Sequence, residues 1–143
     1  MAQDQEEELR KIYSEAQVLQ SYLEELKTRY QLLLATVSDM EAVKLAITEL
    51  SRVERGHEVL VDLGGGVLTK AAIVDNSKVF VNVGSGVLVD KSLEDAIKTI
   101  DQRIAGLNKT IDSLQENIRR LEGEVGVRRT RISELTRSMA SKA

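Results

Sequence analysis

The sequence contains no proline and no cysteine, a single histidine and very few aromatic residues. Each scarcity excludes something. Proline breaks helix interiors, so its absence leaves helices free to run long. Without cysteine there can be no disulfide, thiolate metal site or cysteine nucleophile, which agrees with a reducing compartment. The lone histidine, His57, has no partner motif, and a metal site needs several ligands at set spacings. No metal and no cofactor are therefore expected, and His57 reads as a helix-end residue. Aromatics make up 3% of the 143 residues although hydrophobic residues reach 42%. A compact globular core uses more aromatic volume, whereas Leu and Ile suffice for a coiled-coil seam.

Charge of one sign is also lacking. Charged residues reach 30%, but the signs are interspersed and the formal net charge is −3. A nucleic-acid binder carries a basic excess, so no nucleic-acid partner is expected. No apolar run approaches the roughly 20 residues of a membrane span. The first residues are polar and acidic, unlike a signal peptide. The expectation is a soluble, cytoplasmic protein with no membrane partner.

What is present is a regular pattern. From about residue 5 to 55, apolar positions recur at alternating spacings of three and four. The ladder runs Leu9, Ile12, Ala16, Leu19, Leu23, Leu26, Tyr30, Leu33, Val37 and Met40, falters at Lys44, and ends through Ile47 near Leu50. Glu6, Glu7 and Glu8 at the start, and Arg52 and Arg55 at the end, favour the helix macrodipole, and Gly56 is a natural stop. From about 92 to 140 the same period returns through Leu93, Ile97, Ile100, Ile104, Leu107, Ile111, Leu114, Ile118, Leu121 and Val125. It continues with Arg128, Ile132, Leu135 and Met139. Ser92 is a good N-cap, with Asp95 three residues on. Each helix should be roughly 70–75 Å long at about 1.5 Å per residue.

Between the helices the period drops to two. Strands are expected at 57–63, 67–74, 78–83 and 87–90, turning at Gly64-Gly65-Gly66, Asp75-Asn76-Ser77 and Gly84-Ser85-Gly86. The fold class is thus mainly α: a long antiparallel two-helix coiled coil with two β-hairpins inserted between the helices. It forms one domain over 1–143, with a first helix segment 1–56, hairpins 57–91 and a second helix segment 92–143. For helices that return antiparallel, facing residue numbers should sum to about 144 or about 151. The smaller sum, which sets Arg128 against Ala16, is preferred. Acidic residues at the start of the chain then lie near Arg129, Arg131 and Arg137. That charge match supports the antiparallel arrangement, although exposed pairs contribute little individually.

The hairpins are too apolar for one chain. One face carries Val59, Val61, Leu63, Val67, Val79, Val81, Val83, Val87 and Val89, and the other adds Leu60, Leu68, Phe80 and Leu88. Isolated hairpins are marginal in water, and apolar strand edges invite pairing. The insert therefore reads as an assembly module, its strands pooled with those of other subunits. Val59, Val61, Leu63, Phe80, Val81, Val83, Val87 and Val89 are the assembly residues.

The order helix, hairpins, helix resembles the prefoldin family of molecular chaperones, specifically an archaeal-like alpha-type subunit. The resemblance covers nearly the whole chain. It rests on Val59-Leu60-Val61-Asp62-Leu63-Gly64-Gly65-Gly66, on Val79-Phe80-Val81-Asn82-Val83-Gly84-Ser85-Gly86 and on Lys91-Ser92-Leu93-Glu94-Asp95-Ala96. Two hairpins, not one, mark the alpha type. One departure is Asp62, where many relatives carry proline. The resemblance implies a hexamer of two alpha and four beta-type subunits. Its hairpins form a central double barrel, and its coiled-coil tips hold non-native client proteins and pass them to a group II chaperonin without nucleotide.

Other features have simpler readings. A phosphate loop opens into a helix, but here both glycine runs lead into more strand. Arg119, Arg120, Arg128, Arg129 and Arg131 make a modest basic cluster, diluted by Glu122 and Glu124 and without interleaved aromatics. Paired carboxylates along the helices sit in no plausible cleft, so no catalytic residue is expected and the protein reads as not an enzyme. The informative end is where Gly123 and Gly126 weaken the second helix and Arg128 and Ala16 interrupt the seam. Client binding is expected there, at Leu9, Ile12, Tyr13, Ala16, Val127, Ile132, Leu135 and Met139. The leading expectation is an ATP-independent holdase subunit. The alternative is a coiled-coil adaptor for one defined folded partner.

Overall fold

A computed structural model of the protein describes residues 2–142. The elements follow in the order α1 (Ala2–Leu50), β1 (Glu58–Gly64), β2 (Val67–Ala72), β3 (Lys78–Asn82), β4 (Leu88–Ser92) and α2 (Leu93–Ser141). Both helices run 49 residues. No glycine or proline interrupts α1, and about half of its off-seam positions are Glu, Gln, Lys or Leu, all good helix formers. Ser92 caps α2 as expected, its Oγ accepting the Asp95 N–H at 3.1 Å.

The charge placement on α1 differs from the expectation. The helix begins at Ala2, so its first turn holds Asp4, and Glu6–Glu8 fall one turn further in. It ends at Leu50, leaving Arg52 and Arg55 beyond a last turn that has no basic residue. The macrodipole effect fades within one turn, so these side chains gain little from it.

Each hairpin is a separate two-stranded antiparallel sheet. In the first, Glu58 faces Ala72 and Val61 faces Thr69, with a register shift between Asp62 and Gly64. The Asp62 carboxylate accepts the Gly64 N–H at 2.7 Å and closes this irregularity. A two-residue turn follows at Gly65 and Gly66, with φ of 61° and 81°. Positive φ at both positions suits the right-handed strand twist. The second hairpin pairs Phe80 with Asp90 and Val81 with Val89. Between the hairpins, Asp75 accepts the Ser77 N–H at 2.8 Å and hydroxyl at 2.6 Å. Those bonds hold its carboxyl below the usual carboxylate range. The Asn76 amide donates to the Val53 carbonyl, and the Gly56 and Ile73 backbones join the first hairpin to the chain leaving α1.

The chain divides into two compact units. A helical unit joins the chain through Ala35 to the chain from Asn108; a hairpin unit spans Thr36–Leu107.

Candidate functional site

In the helical unit the seam is apolar at its centre. Leu23, Leu26, Leu114, Leu121 and Val125 are buried together, with Leu19, Tyr30, Leu33 and Ile118 packed around them. The helices are antiparallel here: Gln5 meets Ser138, Glu8 meets Arg131, Glu15 meets Arg128 and Lys27 meets Glu122.

Towards the chain termini the seam changes character. Ala16 and Leu135 are buried, Leu135 only 2% exposed. Leu9, Ile12, Ile132 and Met139 are half-buried. Tyr13 and Val127, at 54% and 69% exposure, lie on the surface. Six of the eight expected client-binding residues are thus wholly or partly covered and two stand outside. Two polar side chains occupy seam positions. Arg128 turns sideways, its Nε donating to Glu15 Oε2 at 3.3 Å and its Nη1 to the Glu124 carbonyl at 3.3 Å. Gln5 buries its Oε1 with no hydrogen-bond partner among the described residues.

Of the five arginines in the basic cluster, Arg128, Arg129 and Arg131 are engaged across the helix pair, while Arg120 bonds Asn117 on its own helix. Arg129 Nη2 donates to Gln20 Oε1 at 3.0 Å, and Arg131 Nε to Glu8 Oε1 at 3.0 Å. Arg131 Nη1 also donates to Glu134 at 3.3 Å. Glu8, then Glu134, hold the Arg131 guanidinium above its already high usual range.

The two glycines do not break α2, which continues through Gly123 and Gly126 to Ser141. A Cβ built on either would meet no atom within 4 Å. Gly123→Ala and Gly126→Ala are each expected to stabilise the chain by about 0.5–1 kcal/mol, because alanine loses less backbone entropy in a helix. A raised thermal midpoint by circular dichroism would show it; an unchanged or lowered one would refute it.

In the hairpin unit, Val81 on β3 is buried with Ile47 of α1 and Ala96 of α2, the last 0% exposed. Val79, Leu93 and Ile97 pack around them. Arg103 Nη2 donates to the Asn82 carbonyl at 2.6 Å, and Lys91 Nζ to Thr99 Oγ1 at 2.8 Å, so the second hairpin is fastened to α2. Lys44, where the apolar ladder falters, pairs with Asp101 at 2.6 Å. That bond holds its ammonium above the usual lysine range. The remaining hairpin side chains are mostly uncovered: Val61, Leu63, Val83, Val87, Val89 and Phe80 are exposed, Phe80 to 73%, while Val59 is half-buried.

The apolar ladder does not include a second set of exposed apolar side chains on α1: Val18, Tyr22, Leu32, Leu34, Val43 and Leu45. They lie off the three-four spacing. Counting the apolar residues of α1 outside the ladder finds them. Among the described residues no cluster of His, Cys, Asp and Glu could hold a metal, and no helix is long and apolar enough to cross a membrane.

Two long helices with a leucine-rich seam and two small β-hairpins between them in the chain define a coiled-coil subunit class. The family described as Prefoldin subunit matches residues 19–138. The chain belongs to the prefoldin family. It is 32% identical over 127 residues to prefoldin subunit alpha of Pyrococcus horikoshii, covering 88% of this chain and 85% of that one. With prefoldin subunit alpha of Thermococcus onnurineus it shares 38% identity over 102 residues, covering 71% and 69%. Its fold resembles a chain of the filamentous PFD from Methanocaldococcus jannaschii, seen by cryo-EM. That match has a TM-score of 0.71 at 22% identity and covers 78% of this chain and 92% of that one.

Proposed function

We propose that this chain is an alpha-type subunit of an ATP-independent holdase, assembled through its hairpins and binding non-native proteins at the terminal end of its helix pair. One observation carries the reading. The apolar seam residues Leu9, Ile12, Ile132 and Leu135 lie between two polar seam positions, Gln5 and Arg128. A seam interrupted in this way is held by little apolar area, and opening it presents adaptable apolar side chains, Met139 among them, to an unfolded chain. No enzymatic step is part of the reading.

The assembly half of the reading is supported by the uncovered hairpins. Family membership favours beta-type partners in a hexamer of two alpha and four beta subunits, with a group II chaperonin receiving the client. The test is light scattering with several unrelated unfolded proteins, with the chain alone and with a beta-type subunit. Aggregation of most of them should be suppressed without nucleotide. An adaptor for one folded partner would protect none, and that result would replace the holdase reading.

A further inference from the structure

We propose that the ion pairs of Arg128 and Arg131, with a hydrogen bond from Arg129, form a clasp that keeps the terminal seam shut, so that ionic strength sets how often it opens. The proposal rests on the reading that this seam is the client surface. Three arginines within four residues of α2 each reach α1: Arg128 to Glu15 at 3.3 Å, Arg129 to Gln20 at 3.0 Å and Arg131 to Glu8 at 3.0 Å. They lie where the apolar seam is thinnest. Ala16 contributes little volume, Arg128 occupies a seam position, and the buried Gln5 Oε1 has no hydrogen-bond partner among the described residues, which disfavours the closed state. Polar contacts therefore carry a larger share of closure here than around Leu23 and Leu121.

Two of the arginines are also built to let go. Arg131 has a second partner on its own helix, Glu134 at 3.3 Å, and Arg128 has the Glu124 carbonyl at 3.3 Å. Each keeps one bond when the helices part, so opening leaves neither guanidinium unpaired. The side chains of the pairs are part-exposed, at 45% and 43% for Arg131 and Glu8. Salt weakens pairs of that kind, and breaking one shifts the open fraction by roughly twofold to fivefold.

The test uses the whole 143-residue chain in its assembly. It has no cysteine, so Gln3→Cys and Ser141→Cys place spin labels on the two helix ends, both at exposed positions. Glu8→Arg and Arg131→Glu, introduced singly, should each add a longer label distance, with the open fraction rising roughly twofold to fivefold. The double charge swap should return the distance to the starting one. Raising salt from about 0.05 M to about 0.5 M should open the starting protein, and Glu8→Gln with Arg131→Gln should blunt that response. Distances unchanged in the single variants, with helicity intact, would overturn the clasp. The same variants should suppress aggregation more strongly at equal concentration. If the distances lengthen and suppression stays the same, the clasp stands and the client-surface reading falls.

Discussion

Aspartate in place of Val81 is expected to release the second hairpin from the helices and to abolish assembly. Val81 is 8% exposed and lies against Ile47 and Ala96, which join α1, α2 and β3 in one apolar contact. A carboxylate there would be buried among aliphatic side chains. Leaving a charge buried and unpaired costs about 3–5 kcal/mol, against a typical total stability of about 5–15 kcal/mol. Val79, Leu93 and Ile97, packed around this contact, would lose it with Val81. The Arg103 and Lys91 bonds to Asn82 and Thr99 are its polar fasteners, and a lone hairpin is marginal in water. Native mass spectrometry should then find the variant outside the assembly, and its thermal midpoint should fall. Val74→Asp, at an 83% exposed position, is the control and should change neither. An intact complex containing the Val81 variant would sink the idea that this junction holds the second hairpin for assembly.

Removing both helix ends, residues 1–16 and 128–143, should leave assembly intact and eliminate most client protection. The cut spares the buried cluster from Leu19 to Val125 and the whole hairpin unit. It removes Leu9, Ile12, Tyr13, Ala16, Ile132, Leu135 and Met139 together with all three clasp arginines. If capture depends on that surface, light scattering should rise almost as fast with the truncated assembly as with none. Truncated complexes that protect unrelated clients equally well would move the client surface elsewhere. The exposed α1 residues Val18, Tyr22 and Leu32 would be the next candidates.

Much of this architecture was legible in the residues because its signals are local. The three-four spacing from Leu9 to Leu50 and from Leu93 to Met139 specifies helices whatever surrounds them. Ser92 and the glycine turns mark boundaries that the structure places within a residue or two. The ends of α1 were less legible, since helix extent depends on which carbonyls find partners. Arg55 reads as a helix-end residue, yet it lies beyond α1 and pairs with Asp75 at 4.0 Å.

The sequence by itself determined two helices, two hairpins and an apolar excess that one chain leaves uncovered. Those follow from periodicity and composition, which need no knowledge of distant neighbours. Only the tertiary structure decided how the terminal seam is closed. An antiparallel return sets the acidic start of the chain near Arg129, Arg131 and Arg137, but the individual partners Glu15, Gln20 and Glu8 lie more than a hundred residues from the arginines they bind and are fixed only by the fold. Likewise Val81 is one of many alternating valines until β3 lies on Ile47 and Ala96. Long-range pairing assigns these side chains their roles, and no local pattern encodes it.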